Sequence, residues 1–404
     1  LYQQAYGIAN LEEAIPIGPE TVFDIASVSK QFTAACIFLL EQQGKLSLEA
    51  PIQTYLPEIP RYPGQEIKVR HLLYHTSGLR EYLRLLYIKG LSWNLPFTHA
   101  DGLALLSEQK GLNFDPGSRF SYSNTGYMLL ASIVERVSGQ TFAKFAQYHL
   151  FDPLGMHKTF VRDQPDEMTR HQAIGYSPQG DSFVVAHYDQ ATVVGEGGVH
   201  TTVEDIFKWS ENFKHQRVGG KDLQAAMLRL GYLDTGQETE YAGGLFLGDY
   251  RSLPGLPTIG HDGSWAGFRS LFFKFPEQDL TFVILSNNAN TNVWALLNQM
   301  VPLFLENELV AARSRLLPES NSEPPEGQTF AVNVQELFAY VGPYFNPVEG
   351  YTRRISLQND TLVYTRSNGM ETKLIPVAPQ TFAFLGMPFV QLRFQKQGDD
   401  TVLY

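Results

Sequence analysis

The sequence has little cysteine, no excess of positive charge and no long apolar run. Its single cysteine, Cys36, excludes an internal disulfide, and the apolar residues around it predict a small buried side chain. The formal net charge of −11 disfavours nucleic acid or an anionic membrane as a partner. No apolar run reaches the roughly 18 residues that a spanning helix needs, so the sequence predicts no transmembrane segment.

The chain is long and apolar enough for more than one folded domain. It has 404 residues, of which 43% are hydrophobic, and this length exceeds what one ordinary core supports. A stretch rich in proline, serine and glutamate predicts a linker at 317–328. We therefore predict one domain at 1–316 and a small all-β domain, a meander or a partial barrel, at 329–404.

Strand-like segments near the end of the first domain predict an antiparallel sheet. The segments 241–247, 267–275 and 280–286 are rich in aromatic and β-branched residues and are separated by turn-forming residues. Helical patterns precede and follow these segments. The first domain is therefore predicted to be α+β.

A serine and a lysine three positions apart open an apolar helix near the start of the chain. Ser27 and Lys30 precede the apolar run 34–40, and residues three apart share one face of a helix. A serine becomes a nucleophile when a neighbouring base takes its proton, and a lysine is such a base when burial lowers its pKa. We therefore predict Ser27 as a nucleophile and Lys30 as its base.

The same spacing occurs a second time in a different setting. Ser107 and Lys110 lie in a polar run that is typical of an exposed helix end. We therefore interpret this second copy as a solvated surface.

A Tyr-x-Asn motif supplies a second hydroxyl and an amide. Tyr122 relays or accepts a proton where neighbouring cations lower its pKa. Asn124 offers both a donor and an acceptor to a substrate amide. We predict a catalytic role for Tyr122 and a substrate-binding role for Asn124.

The third motif contains His261, Gly263 and Ser264, which we place at the start of the strand 267–275. Here the backbone N–H of Ser264 is expected to join that of Ser27 in an oxyanion hole. A neutral imidazole donates one hydrogen bond, so His261 is predicted to orient a substrate carbonyl. All three residues are therefore predicted to bind substrate.

The spacing of two histidines does not indicate a metal site. His71 and His75 are four positions apart but lack the adjacent glutamate of a zinc-binding helix. The sequence predicts neither a metal nor a cofactor.

In this order, the three motifs resemble those of the serine β-lactamase and penicillin-binding-protein superfamily. More narrowly they resemble the class C β-lactamase-related serine hydrolases of the peptidase S12 group. The segments 23–30, 71–79, 197–205 and 260–263 carry this likeness, which covers roughly residues 1–315. It implies an antiparallel sheet flanked by helices, with a helical lobe beside it, and a lipocalin-like second domain.

The resemblance also implies a location and a substrate class. It implies a periplasmic or secreted protein, and the chain opens in what resembles a strand already under way, so we expect a leader before it. The implied partner is a small molecule or a short peptide. The third motif of true β-lactamases and DD-peptidases opens with a lysine that binds the substrate carboxylate, whereas His261 stands here; esterases and D-aminopeptidases of the group often carry histidine.

We therefore predict a serine hydrolase that acts on an ester or amide, including small peptides with a D-residue, through a covalent acyl-enzyme on Ser27. Two alternatives stay open. One is a β-lactamase or D-Ala-D-Ala carboxypeptidase, and the other is a non-catalytic penicillin-binding or sensor protein that stays acylated.

Overall fold

The computed structural model describes residues 2–90, 97–164, 171–186, 191–316, 333–346, 351–365, 371–384, 387–397 and 400–403. The chain divides into two compact units, Leu1–Pro318 and Glu319–Tyr404. The predicted linker at 317–328 lies outside the described residues.

The first unit is a mixed α/β structure. Its helices are α1 (Lys30–Gln42), α2 (Val69–Leu73), α3 (Tyr82–Ile88), α4 (His99–Ser107), α5 (Asn124–Ser138), α6 (Phe142–Ala146), α7 (Asp152–Leu154), α8 (Val203–His215), α9 (Gly220–Met227), α10 (Val293–Phe304) and α11 (Glu306–Leu316). Its strands are β1 (Ile8–Asn10), β2 (Ile15–Pro16), β3 (Phe23–Asp24), β4 (Phe97–Thr98), β5 (Phe160–Val161), β6 (Tyr176–Gln179), β7 (Ser182–Val185), β8 (Ala191–Thr192), β9 (Val199–Thr201), β10 (Phe246–Asp249), β11 (Pro257–Trp265), β12 (Phe268–Phe275) and β13 (Leu280–Ser286).

Four antiparallel strands in the order β10-β11-β12-β13 form the main sheet. The predicted antiparallel sheet is confirmed, but the prediction of three strands is wrong. It omitted β11 and placed His261 at the start of the next strand, whereas His261 lies within β11. Gly260 and Gly263 interrupt the apolar alternation of β11, which is why the pattern did not predict a strand there.

Helix α1 lies at the centre of the first unit. Every residue from Lys30 to Leu40 is buried, as expected of a predominantly apolar helix that other elements surround. Gly44, at φ +67°, follows the helix in the left-handed conformation that the sequence predicts there. Cys36 is buried in this helix, as expected.

Two helix predictions need correction. The spacing of proline and leucine at 46–56 predicts a short helix, but the structure has only a 3₁₀ turn there, at Ile52–Thr54. The sequence also predicts one helix from 292 to about 316 with a kink at Pro302, but the structure has two helices, α10 and α11, which are divided at Leu305, and Pro302 lies inside α10.

The second unit consists mainly of one antiparallel meander. A short helix α12 (Val334–Leu337) precedes the strands β14 (Gly342–Asn346), β15 (Tyr351–Gln358), β16 (Thr361–Thr365), β17 (Glu371–Ala378), β18 (Thr381–Phe384), β19 (Met387–Gln397) and β20 (Asp400–Leu403). These strands pair in chain order. The predicted all-β character is confirmed, and the likeness to a lipocalin stays a prediction.

None of the helices in the described ranges combines the length and the hydropathy that a membrane crossing requires.

Each unit has its own apolar core. The clusters of the first unit contain only residues up to Ala312, and the cluster of the second is built on Leu337, Ile355, Leu374 and Phe394. A chain ending at Pro318 is therefore expected to fold alone. It should show helical circular dichroism and one cooperative thermal transition, and an insoluble product would place the boundary elsewhere.

Candidate active site

Ser27 lies in a 3₁₀ turn directly before α1. The preceding residue, Ala26, has a φ of +47°, which is strained for a residue with a side chain. The Asp24 carboxylate holds this turn by accepting from the Ala26 N–H at 2.7 Å. The Ser29 hydroxyl accepts from the Val199 N–H at 3.2 Å, which ties the turn to β9. The local contacts thus fix the direction of Ser27 before any substrate arrives.

The Lys30 ammonium is surrounded by three oxygen atoms. Its Nζ is 3.1 Å from Ser27 Oγ, 2.9 Å from Asn124 Oδ1 and 2.7 Å from the main-chain oxygen of Glu196. An amide oxygen and a carbonyl oxygen can only accept hydrogen bonds. They therefore hold two N–H groups of Lys30, and in the neutral amine the lone pair faces the hydroxyl of Ser27.

Burial tunes Lys30 for proton transfer. The side chain is wholly buried, and this burial lowers the pKa of Lys30 to about 7, although Glu196 and Glu81 oppose the shift by Coulomb attraction. A base acts best when its pKa is near the working pH. The predicted lowering of the lysine pKa is therefore present here.

Tyr122 packs beside the serine and the lysine. Its ring is 4.4 Å from that of His75 and stacks on Phe246, and Lys30 Nζ lies 5.0 Å from the ring centre. Although 37% of Tyr122 is exposed, burial of its hydroxyl raises the pKa, and a hydrogen bond with Ser27 opposes that shift. The condition set from the sequence, a pKa lowered by cations, is wrong. Tyr122 is a neutral hydroxyl that donates and accepts.

Asn124 is the first residue of α5, and Glu81 caps this helix. One carboxylate oxygen of Glu81 accepts from the Asn124 N–H at 2.7 Å and from the Ser123 hydroxyl at 3.0 Å. A carboxylate at a helix N-terminus is stabilised by the unpaired N–H groups and the helix dipole. The cap leaves the Asn124 side chain available for Lys30 and for a substrate amide.

Gly263 allows β11 to approach the serine turn. A Cβ at this position would collide with the Ile25 carbonyl and the Ser270 hydroxyl. The Ser270 hydroxyl donates to the same Ile25 carbonyl at 2.7 Å, which joins β12 to the turn that carries the serine. Glycine is therefore required for the close packing of strand and turn.

The backbone of Ser264 points away from β12. Trp265 pairs with Phe268 across a two-residue turn with positive φ at both turn residues, and such a closing pair exchanges both of its hydrogen bonds. Hydrogen-bonded and non-hydrogen-bonded pairs alternate along an antiparallel ladder, so the next pair, Ser264 and Arg269, exchanges no hydrogen bonds. The Ser264 N–H therefore points away from β12. Since β10 pairs with β11 only as far as Gly260, this N–H faces an open strand edge.

His261 is buried on β11 beside Tyr122, with ring centres 5.9 Å apart. Its Nδ1 is 2.6 Å from the Asp262 carbonyl, so Nδ1 must be the donor. Burial and the nearby Lys30 lower the pKa of His261 to about 3. The ring is therefore neutral, and its buried Nε2, an acceptor, has no protein partner among the described residues. The prediction that the single N–H of His261 serves the substrate is wrong.

A cavity of about 470 Å³ opens beside Ser27. Polar groups of Asn124, Glu196 and Ser264 line it together with the serine. Its apolar lining comprises Leu83, Val185, Val193, Trp265 and Phe268. This mixture of apolar walls and a few polar groups is typical of a small-molecule site.

The second serine–lysine pair, Ser107 and Lys110, is not part of this arrangement. The Ser107 hydroxyl donates to the Ala104 carbonyl of its own helix, and Lys110 is exposed. Among the described residues no cluster of histidine, cysteine, aspartate and glutamate could hold a metal ion. The Nδ1 atoms of His71 and His75 instead accept from main-chain N–H groups.

Three residues of this site were absent from the predictions. Glu81 caps α5, Tyr82 donates to Glu196 at 2.5 Å, and Glu196 positions Lys30 through its carbonyl. A carboxylate inside the glycine-rich run 195–198 was the one sequence signal that could have drawn attention to Glu196.

The fold is that of the penicillin-binding-protein-like hydrolases. The chain aligns with a penicillin-binding protein from Bacillus halodurans at a TM-score of 0.65 and 27% identity, covering 74% of this chain and 90% of the other. It also aligns with a D-amino acid amidase from Ochrobactrum anthropi, with a TM-score of 0.60, 23% identity, and coverage of 76% and 89%. At this sequence identity, the likeness to the amidase shows a shared fold and nothing more.

Residues 1–299 match the Beta-lactamase family, and the chain belongs to that family. Penicillin-binding protein 4* of Bacillus subtilis is 26% identical over 98% of this chain and 87% of its own length. A D-aminopeptidase of Gluconobacter oxydans is 25% identical over 71% of this chain. The chain spans about half of that relative, 53% of its length. These likenesses support a serine hydrolase of the β-lactamase fold.

Proposed function

We propose that the protein cleaves small amides or esters, including peptides with a D-residue, through an acyl-enzyme on Ser27. The observation that carries this proposal is the coordination of Lys30. Two obligate acceptors, Asn124 Oδ1 and the Glu196 carbonyl, direct its lone pair at Ser27 Oγ. That geometry, with a pKa near neutrality, is what a general base for serine needs.

The reaction divides into acylation and deacylation. Ser27 Oγ attacks the substrate carbonyl while its proton passes to Lys30, and the oxyanion is stabilised by the N–H groups of Ser27 and Ser264. Collapse breaks the bond to the leaving group, which takes a proton from the Tyr122 hydroxyl, and Lys30 replaces that proton. Water then attacks the acyl-enzyme and gives a proton to Lys30. Lys30 and Tyr122 return this proton to Ser27 Oγ as the bond between Oγ and the acyl carbon breaks, and the acid is released.

A second candidate function is that of a penicillin-binding protein that forms a long-lived adduct. The relatives named above include two penicillin-binding proteins. His261 argues against turnover of a penicillin, because it is a neutral group at the position where true β-lactamases and DD-peptidases carry a lysine for the substrate carboxylate. The two functions differ in the fate of the acyl-enzyme.

Intact-mass spectrometry distinguishes these functions directly. The protein is incubated with a nitrophenyl ester, a penicillin and a D-peptide amide, and mass and product release are followed together. A transient adduct with steady turnover supports the hydrolase, and a stable penicillin adduct supports the second candidate. If peptide mapping finds no adduct on Ser27 with any of the three, the acyl-enzyme proposal is refuted.

His261 gives a prediction on the leaving-group side. Because its free nitrogen is an acceptor, it repels a carboxylate and accepts from an amide N–H. We expect D-alanyl-D-alanine amide to be cleaved about tenfold better, in kcat/KM, than the free acid, a difference of about 1.4 kcal/mol. His261→Lys should narrow that gap. If the wild-type protein prefers the free acid, a carboxypeptidase becomes the better assignment.

A further inference from the structure

The Glu196 carboxylate has one oxygen that the protein leaves without a partner. Only 9% of the residue is exposed. Oε1 accepts from the Tyr82 hydroxyl at 2.5 Å, whereas the buried Oε2 has no hydrogen-bond partner among the described residues. A buried polar oxygen without a partner is costly, so such an atom on a residue that lines a cavity points to a ligand.

Neither Lys30 nor Arg162 donates a hydrogen bond to Glu196 Oε2. Lys30 contacts the main-chain carbonyl of Glu196, at 2.7 Å, and its other two hydrogen bonds join it to Ser27 and Asn124. Arg162 also lines the cavity but makes no hydrogen bond to this oxygen. Burial and Coulomb repulsion from Glu81 raise the pKa of Glu196, whereas Coulomb attraction to Lys30 opposes that shift. Among the described residues, however, no cation donates a hydrogen bond to Glu196 Oε2.

The position of Glu196 relative to Ser27 narrows the choice of ligand. Glu196 lines the same cavity as Ser27 and Asn124 and is joined to the serine through Lys30. An α-ammonium group lies one carbon away from the carbonyl that the serine attacks. The same cavity has apolar walls, Val193 and Phe268 among them, which suit the side chain of a single amino acid.

We propose that Glu196 binds the free α-ammonium group of an amino acid whose carbonyl Ser27 attacks, so that the cavity selects N-terminal aminoacyl substrates. This inference rests on the proposed acyl-enzyme, because it places the acyl group in the cavity. The ammonium donates to Oε2, while Tyr82 keeps Oε1. A carboxylate with both oxygens occupied replaces one that is half satisfied.

A matched pair of substrates tests the subsite. D-Leucine p-nitroanilide and 4-methylpentanoyl p-nitroanilide differ only in the amine, so their ratio of kcat/KM isolates its contribution. We expect a wild-type ratio of about ten or more, and Glu196→Gln should lower it about tenfold because glutamine retains the Tyr82 contact without the charge. Any effect of the variant on Lys30 acts on both substrates and cancels in the ratio.

Two controls accompany the pair. Glu277→Gln makes the same chemical change at an exposed residue of the turn before β13, and it should keep the wild-type ratio. The other possible role of Glu196 is activation of the deacylating water. In that case Glu196→Gln would accumulate the acyl-enzyme of both substrates with an unchanged ratio, and the ammonium subsite would be refuted.

Binding without chemistry separates this inference from the function on which it rests. In a Ser27→Ala background, titration calorimetry compares D-leucinamide with 4-methylpentanamide, and Ser27→Ala/Glu196→Gln should lose the tighter binding of the amine. Equal affinities of Ser27→Ala for D-leucinamide and 4-methylpentanamide would overturn the subsite, even if Ser27 of the wild-type protein is acylated. Selective binding without any acylation of wild type would support the subsite and overturn the hydrolase.

Discussion

Replacing Ser27 by alanine is expected to abolish hydrolysis, by about a thousandfold or more, and to remove every covalent adduct. Loss of a serine nucleophile leaves only the catalysis that comes from binding and oxyanion stabilisation. The fold should survive, because Ser27 is half-buried and its hydroxyl receives a hydrogen bond from Lys30 that other oxygens share. Steady-state hydrolysis of a nitrophenyl ester and intact-mass spectrometry measure both effects.

The second serine–lysine pair provides the control for this variant. Ser107 bonds to its own helix and Lys110 is exposed, so Ser107→Ala should keep turnover within about twofold of wild type. Thermal unfolding should be cooperative in both variants. Activity of Ser27→Ala at a tenth of the wild-type level, in a folded protein, would move the nucleophile to another residue.

Local patterns predicted most of the elements that position the site. The three-residue spacing of Ser27 and Lys30 gives their contact directly, because a helix start brings such residues together. That Asn124 reaches the same lysine from 94 positions away follows from no local pattern, and it was expected only through the family resemblance. The second unit was predicted as all-β from alternation alone.

Burial explains what the sequence did not reveal. The raised pKa of Tyr122 and the lowered pKa of His261 depend on the solvent that the fold excludes. The hydrogen position on His261 depends on a carbonyl of the next residue. Glu81 and Glu196 belong to none of the three motifs, and their roles depend on contacts with Asn124 and Lys30 that only the fold creates. Such features become visible only when the chain is folded.

Removing the amine of Lys30 is the second change with a very large expected effect. Lys30→Met should lower kcat/KM about a thousandfold, since general-base assistance contributes about 10² to 10⁴. Lys30→Arg should be as inactive, because a guanidinium stays protonated and offers no lone pair. Both variants are compared with wild type on 4-methylpentanoyl p-nitroanilide, which has no amine that titrates. A Lys30→Arg protein with near wild-type activity would show that the group acts as a cation rather than as a base.

The pH dependence of the wild-type protein identifies the base more directly. Lys30 accepts a proton from serine only in its neutral form, and its pKa is lowered to about 7, so kcat/KM should fall about tenfold per unit as the pH decreases below 7. The charged groups that act on Lys30 are Glu81 and Glu196, whereas His75 and His261 are neutral because burial lowers their pKa values.

The variant Glu196→Gln tests which residue causes the decrease of kcat/KM at low pH, the acid limb of the profile. The carboxylate stabilises the lysine cation, so its removal lowers the pKa of Lys30 further and should move the acid limb to lower pH. If the limb instead reported ionisation of Glu196 itself, whose pKa burial raises, the variant would have no such limb. A limb displaced to lower pH in Glu196→Gln and absent from the residual activity of Lys30→Met would assign the base to Lys30.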